Sequence, residues 1–144
     1  MAVYIWLYQS RETRPMQKAD LQAILEVSRR HNGERGITGM LLYHAGRFTQ
    51  VIEGGEDDIR ALKDRICRDE RHTEVATLAE GWRDARIFAQ WSMAFHSPSP
   101  DQQADLDARM PIGWARKTLE SIDDTGGLQA LFARMAEWAS TGES

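Results

Sequence analysis

Cysteine is almost missing from this chain. Cys67 stands alone among 144 residues, which excludes an internal disulfide and a zinc site built from cysteines. Long apolar runs are missing too: no stretch approaches the roughly 18 residues of a membrane span. The opening "MAVYIWLYQSR" has neither a basic segment ahead of an apolar one nor a small-residue cleavage pattern. A cytoplasmic location with no membrane contact is expected. Excess positive charge is absent, since the formal net charge is −4, which argues against a nucleic-acid-binding face. No internal repeat or low-complexity tract interrupts the sequence. It has no G-x-G-x-x-G turn, no phosphate-loop lysine motif and no serine nucleophile elbow. His44, His72 and His96 fall on separate elements without H-x-x-x-H spacing, so no metal site is expected. What remains is 42% hydrophobic and 28% charged, an ordinary balance for one domain that buries its own core.

The pattern along the chain gives an order of elements. "AVYIWLY" (2–8) is aromatic and β-branched and predicts a strand. Leu21, Ile24, Leu25 and Ser28 recur at helical spacing over about 17–32, with Asn32 on the same face and Gly33 placed to stop the helix. Strands are expected over about 37–44 and 47–53, joined at Ala45-Gly46 by a tight hairpin. A second helix follows, with Ile59, Leu62 and Ile66 in register and Glu56, Asp57 and Asp58 in its first turn, where the helix dipole favours negative charge. Strands are expected again at 73–82 and 90–96. The order is βαββαββ: an α+β, ferredoxin-like fold with a five-stranded mixed sheet and two helices on one face. Ser97-Pro98-Ser99-Pro100 is the clearest break, dividing a domain at 1–97 from a helical extension at 98–144. In the extension a helix is expected from Asp101 to about Met110, a further helical piece around Trp114–Ile122, and an amphipathic helix with Leu128, Leu131, Phe132, Met135 and Trp138 in one stripe. That stripe must dock, either on the free face of the sheet or on a second subunit.

Three polar groups occupy faces that ought to be apolar. Tyr8 shares its strand face with Tyr4 and Trp6. Asn32 ends the apolar stripe of the first helix. Gln50 sits between Phe48 and Ile52 on alternate positions of a strand. A buried amide without partners costs roughly 1–3 kcal/mol. Tyr and Asn often satisfy one another in cores, but these three converge on the same helix–sheet layer. A heterocycle with carbonyl and ring-nitrogen acceptors would satisfy them, because an amide donates at one end and accepts at the other.

"YQSR" (8–11), "HNGERGITGMLLYHAGRFTQVIEG" (31–54), "RDERH" (68–72) and "FAQWSM" (88–93) together resemble the BLUF domain, a blue-light sensor that uses flavin. The resemblance covers about residues 3–96. It implies that a flavin ring enters between the two helices, packed by Ile24 and Ile66 and bonded along its carbonyl and imide edge by Asn32, with His31 beside it. Arg65, Asp69, Arg71 and His72 fall in the segment that family members use around the pyrimidine edge and ribityl chain. FAD is the cofactor it implies, FMN or riboflavin being the alternatives. The resemblance assigns the photochemistry to Tyr8 and Gln50, with electron and proton leaving Tyr8 through Gln50, and signal relay to Trp91 and Met93 in the last strand, which would present both to Gln50 on one face. Trp6, two residues from Tyr8, departs from the family's smaller residue there and is either core or a competing electron donor.

The same resemblance implies a sensor rather than an enzyme. Its output would pass to a separate, unidentified signalling protein or through a change of assembly, and a homo-oligomer is expected, since 144 residues leave little room for an appended effector domain. Two other readings stay open from the residues alone. One is a small flavin-dependent redox enzyme, which needs an open substrate face on the ring. The other is a flavin-free interaction module, in which the polar triad is ordinary core.

Overall fold

A computed structural model of the chain describes residues 2–108, 118–121 and 128–141. Strand β1 (Val3–Glu12) leads into helix α1 (Lys18–Arg35). The Gln17 backbone N–H donates to the Asp20 carboxylate at 2.8 Å and secures the start of α1. The helix runs past Gly33 and stops at Gly36, whose φ of +66° is the left-handed conformation that closes helices. The expected stop at Gly33 is therefore corrected by one turn. Gly33 lies inside the helix, and nothing within 4 Å would meet a Cβ there.

Strands β2 (Thr38–His44) and β3 (Arg47–Gly54) form the expected hairpin, with φ of +48° at Ala45 and +82° at Gly46. Gly39 is required where the pair crosses: a Cβ there would lie 2.1 Å from the Val51 carbonyl oxygen. Helix α2 (Glu56–Arg68) and strand β4 (His72–Arg83) complete a βαββαβ unit. With β5 (Ala94–His96) and β6 (Thr118–Ser121) at the edges, the strand order is β5-β2-β3-β1-β4-β6. The central four strands pair antiparallel, with β3 inserted between β1 and β2, as in ferredoxin-like folds. The sheet is mixed because β5 pairs parallel to β2 and β6 (Thr118–Ser121) parallel to β4.

Two expectations fail at the margins. β5 covers only Ala94–His96 rather than 90–96. The carbonyls of Trp91, Ser92 and Met93 are taken by Gly39 N–H (3.1 Å), the Asn32 amide (2.8 Å) and Arg29 Nε (2.9 Å), so this stretch lies against α1 and the end of β2 instead of extending the ladder. In the stretch expected to be helical around 114–122, Thr118–Ser121 is an edge strand, and the rest lies outside the described residues.

Both faces of the sheet are buried. On one, Tyr4, Trp6, Tyr8, Leu41, Phe48 and Ile52 pack under α1 and α2 with Leu25 and Ile59. On the other, Ile5, Leu7, Met40, Leu42 and Val51 pack against Leu106 of α3 (Pro100–Ala108) and against Leu131, Phe132, Met135 and Trp138 of α4 (Leu128–Thr141). No helix among the described residues is long and apolar enough to cross a membrane.

Candidate functional site

A cleft enclosing about 160 Å³ lies between α1, α2 and the sheet. The sheet supplies its floor with Tyr8, Leu41, Phe48 and Gln50; α1 supplies Ile24, Val27, Ser28, His31 and Asn32; α2 and the turn beyond it supply Leu62, Arg65, Ile66, Asp69, Arg71 and His72. Alternation along β1 and β3 explains the floor, because Tyr8 pairs directly with Gln50 across the ladder. β4 carries an extra residue, Leu78, opposite the step from Leu7 to Tyr8, a bulge of the kind that re-aims side chains beside sites.

The Tyr8 hydroxyl donates to Gln50 Oε1, and Gln50 Nε2 donates to the Met93 sulfur at 3.4 Å. Tyr8, Gln50 and Met93 are all buried, at 3%, 7% and 2% exposure. Burial, followed by the neighbouring Cys67 and Asp69, pushes the Tyr8 phenol far above its ordinary range, so it stands as a protonated donor. Asn32 is 2% exposed; its amide donates to Ser92 O, and its carbonyl lies 3.3 Å from His31 Nδ1.

Two charges of the rim pair with each other. Arg71 grips Asp69 through Nε and a terminal nitrogen, and those hydrogen bonds hold the Asp69 carboxyl below its usual range. His72 faces inward: Nδ1 lies 2.7 Å from Ser10 Oγ and Nε2 lies 2.5 Å from the Ile66 carbonyl, which ties the end of α2 to β1.

The structure thus gathers Tyr8, Ile24, His31, Asn32, Gln50, Arg65, Ile66, Asp69, Arg71 and His72 around one cleft. Trp91 and Met93 do not share a face. Met93 packs in the layer beneath α1 and α2, whereas Trp91 packs with the layer on the opposite face of the sheet. The alternation expected of a strand fails here because 91–93 is not one.

Glu53 went unnoticed in the sequence. It is fully buried, and its carboxylate accepts from Thr38 Oγ1 (2.8 Å) and from the backbone N–H groups of Ile87 and Phe88 (2.7 Å each). A charge directly after the apolar pair Val51–Ile52, still within the strand, was the available signal. Arg29, which holds Met93 O, carried none, since a helix arginine is ordinarily solvated.

The cleft suits a flat heteroaromatic ring. Its walls include half-buried Ile24 and Ile66, and Val27 stands 51% exposed beside it, an apolar surface left for a ligand to cover. A buried amide and a phenol on the floor, Gln50 and Tyr8, and a second buried amide on α1, Asn32, supply polar contacts.

Comparison with known proteins agrees. A family model described as sensors of blue light using FAD matches residues 3–94. The chain is 39% identical over 87 residues to the photoactivated adenylate cyclase subunit beta of Euglena gracilis, covering 60% of this chain and 10% of that protein. It is 29% identical over 89 residues to the blue light- and temperature-regulated antirepressor BluF of Escherichia coli, covering 22% of that protein. The chain therefore spans a tenth to about a fifth of the length of these two curated relatives. The dark-state structure of BlrB, a BLUF protein, superposes with a TM-score of 0.69 at 28% identity, covering 97% of both chains. With the cleft and its Tyr8–Gln50 pair, these matches establish that the chain belongs to the BLUF family of blue-light sensors that use FAD.

Proposed function

We propose that the chain holds FAD non-covalently in the α1–α2 cleft and signals by a light-driven exchange of hydrogen bonds at Gln50. The observation that carries this reading is the buried relay Tyr8 Oη–H to Gln50 Oε1 and Gln50 Nε2–H to Met93 Sδ. When bound, the flavin supplies blue absorption and an excited state able to oxidise a nearby phenol. Tyr8 would give one electron to the excited flavin, become strongly acidic and pass its hydroxyl proton to its hydrogen-bond partner Gln50; the electron and a proton return to Tyr8 as the charge pair recombines. Gln50 then rearranges, by rotation or tautomerism, and its new donor strengthens bonding at the ring carbonyl, so absorption moves to the red until dark reversal.

Ile24 and Ile66 would pack against the ring, Asn32 and Gln50 would bond its polar edge, and His31 would stand beside it. Arg65, Asp69, Arg71 and His72 shape the end where the ribityl chain leaves. FAD is preferred over FMN and riboflavin on family resemblance. Met93 loses its contact when Gln50 rearranges, and the change passes into β5. Residues 1–97 form the sensory unit, and 98–144 form an extension that carries the signal to a separate protein or to a second copy of the chain. On this reading the chain is a sensor without turnover of its own.

The deciding experiment is a visible spectrum before and after blue light on wild type and Tyr8→Phe. A reversible red shift in wild type and none in flavin-loaded Tyr8→Phe is the expected result. A colourless protein that takes up no added flavin would refute the proposal.

A further inference from the structure

The cleft face of β1 carries a second phenol with a stronger base beside it. Tyr4, Trp6 and Tyr8 alternate along this face and are buried, at 4%, 0% and 3% exposure. Trp6 stacks on Tyr8 with ring centroids 4.2 Å apart and planes 20° apart. Tyr4 follows two residues along the strand, about 7 Å away by strand rise. It meets Trp82 edge-on at 5.3 Å, and Trp82 is 41% exposed. The four rings make a row from the floor of the cleft to the surface.

The partners of the two phenols differ. Tyr8 donates to an amide oxygen, whereas Tyr4 donates to a carboxylate oxygen, Glu80 Oε2, at 2.6 Å. A phenol that loses an electron becomes a strong acid, and the neutral radical left behind is favoured in proportion to the basicity of the proton's acceptor. A carboxylate is a far stronger base than an amide. Burial and the bond to Glu80 push Tyr4 up to about 12, so it begins protonated. Burial opposes the charge on Glu80, but hydrogen bonds from Lys63 and Tyr4 outweigh it and hold the carboxyl below its usual range.

We propose that Tyr4 and Glu80 form a second redox site, reached through Trp6, that takes over the oxidising equivalent created at Tyr8. The proposal rests on Tyr8 being the primary donor to photo-excited flavin. Tyr8 loses one electron to that flavin. Trp6 passes one electron to Tyr8, and Tyr4 passes one to Trp6. The Tyr4 hydroxyl proton crosses to Glu80 Oε2. The proton that Tyr8 passed to Gln50 returns to it, so Tyr8 and Trp6 end as they began, Tyr4 is a neutral radical, Glu80 is a carboxylic acid, and the electron from Tyr8 remains with the flavin.

The surrounding cations set where charge can rest. Lys63 Nζ lies 5.3 Å from the Trp6 ring centre, so a cation on the indole is opposed and Trp6 is a point of transit. Arg60 donates to the Tyr4 oxygen at 3.2 Å and lies over its ring at 5.0 Å. It opposes a cation on Tyr4 but not a neutral radical, which makes proton transfer to Glu80 part of the step.

The test is electron paramagnetic resonance of flavin-loaded protein, carrying ring-deuterated tyrosine, illuminated and then frozen. Wild type is expected to give a tyrosyl radical that is lost in Tyr4→Phe and in Trp6→Leu, while Tyr4→Phe keeps the red shift. A tyrosyl signal unchanged in Tyr4→Phe overturns the proposal. A second arm uses flavin-free protein and pulse radiolysis with azidyl radicals, which oxidise exposed tryptophan. Indolyl absorption is expected to convert to tyrosyl absorption in wild type and Tyr8→Phe, and not in Tyr4→Phe or Trp82→Phe. Conversion that survives Tyr4→Phe overturns the proposal. Failure of the photoreceptor reading would appear separately, as no red shift in wild type, and the radiolysis arm still decides the Tyr4 site.

Discussion

Gln50 has two partners of unequal strength. A phenol that donates to its carbonyl is a strong neutral bond, and a thioether sulfur that accepts from its amide is a weak one. The amide can therefore give up Met93 more cheaply than Tyr8. Gln50→Leu keeps the volume but leaves the Tyr8 hydroxyl buried without an acceptor, a loss of about 1–3 kcal/mol. Denaturant unfolding should register that loss, and the difference spectrum after blue light should be flat; a normal photoshift in Gln50→Leu would remove the amide from the mechanism. Gln50 was legible in the sequence because a primary amide amid apolar alternation demands a partner. Glu53 was not, because its strand face reads as the less buried one, and only the return of residues 84–93 and α4 over that face makes it interior. Charge also sets the pH behaviour. The Glu80 carboxyl is depressed in the fold, so its stabilisation is present above the ordinary carboxylate range and is lost as pH falls through the folded value. The Tyr4 phenol is raised to about 12, so its contribution is whole below 10.0 and lost as pH climbs toward 12. Thermal melts across pH should fall at both ends, and Glu80→Gln should flatten the acid side.

At the scale of elements, the segment between β4 and β5 is held from both sides. Glu53 grips the consecutive N–H groups of Ile87 and Phe88, while Gly39, Asn32 and Arg29 take the carbonyls of residues 91–93. These bonds fix Met93 under Gln50 and turn Trp91 to the other layer. Glu53→Ala should strand buried donors at a cost of about 1–3 kcal/mol each. Hydrogen exchange at the Ile87 and Phe88 amides should speed up more than at the centre of β1. Equal protection in the variant would show that the clamp does not hold the segment. The core order βαββαβ was readable from period and turn residues, because each element carries its own signal: the acidic first turn of α2, the Ala45-Gly46 hairpin, the aromatic β1. The true extent of β5 and the edge strand β6 were not readable, since both are decided by hydrogen bonds to distant segments rather than by their own pattern. The stop of α1 was missed for a related reason. Gly33 and Gly36 are equivalent in composition, and only the turn into Ile37 selects the second.

For the molecule as a whole, the sheet separates two layers with different jobs. The layer under α1 and α2 leaves a cleft, whereas the layer under α3 and α4 is sealed by Leu131, Phe132 and Met135, at 0%, 2% and 0% exposure. The stripe on α4 announced in sequence that it must dock, but the occupant of its far side was open between the sheet and a second subunit; in the structure it covers the sheet. β5 touches both sides of this arrangement. It begins one residue after Met93, and its last residue, His96, stacks on Trp138 with centroids 4.9 Å apart and donates from Nε2 to the Gln102 side-chain carbonyl oxygen of α3 at 2.9 Å. If the two layers are separable, damage to the sealed layer should alter stability without altering the photochemistry. Phe132→Ala removes a buried ring and should cost about 3–5 kcal/mol, lowering the melting temperature by roughly 10–20 °C. The cleft residues are untouched by this change, so the amplitude of the red shift in the folded, flavin-loaded variant should match wild type. A folded variant with a reduced photoshift would mean that α4 helps set the geometry at Gln50, and that the two layers work as one unit through β5.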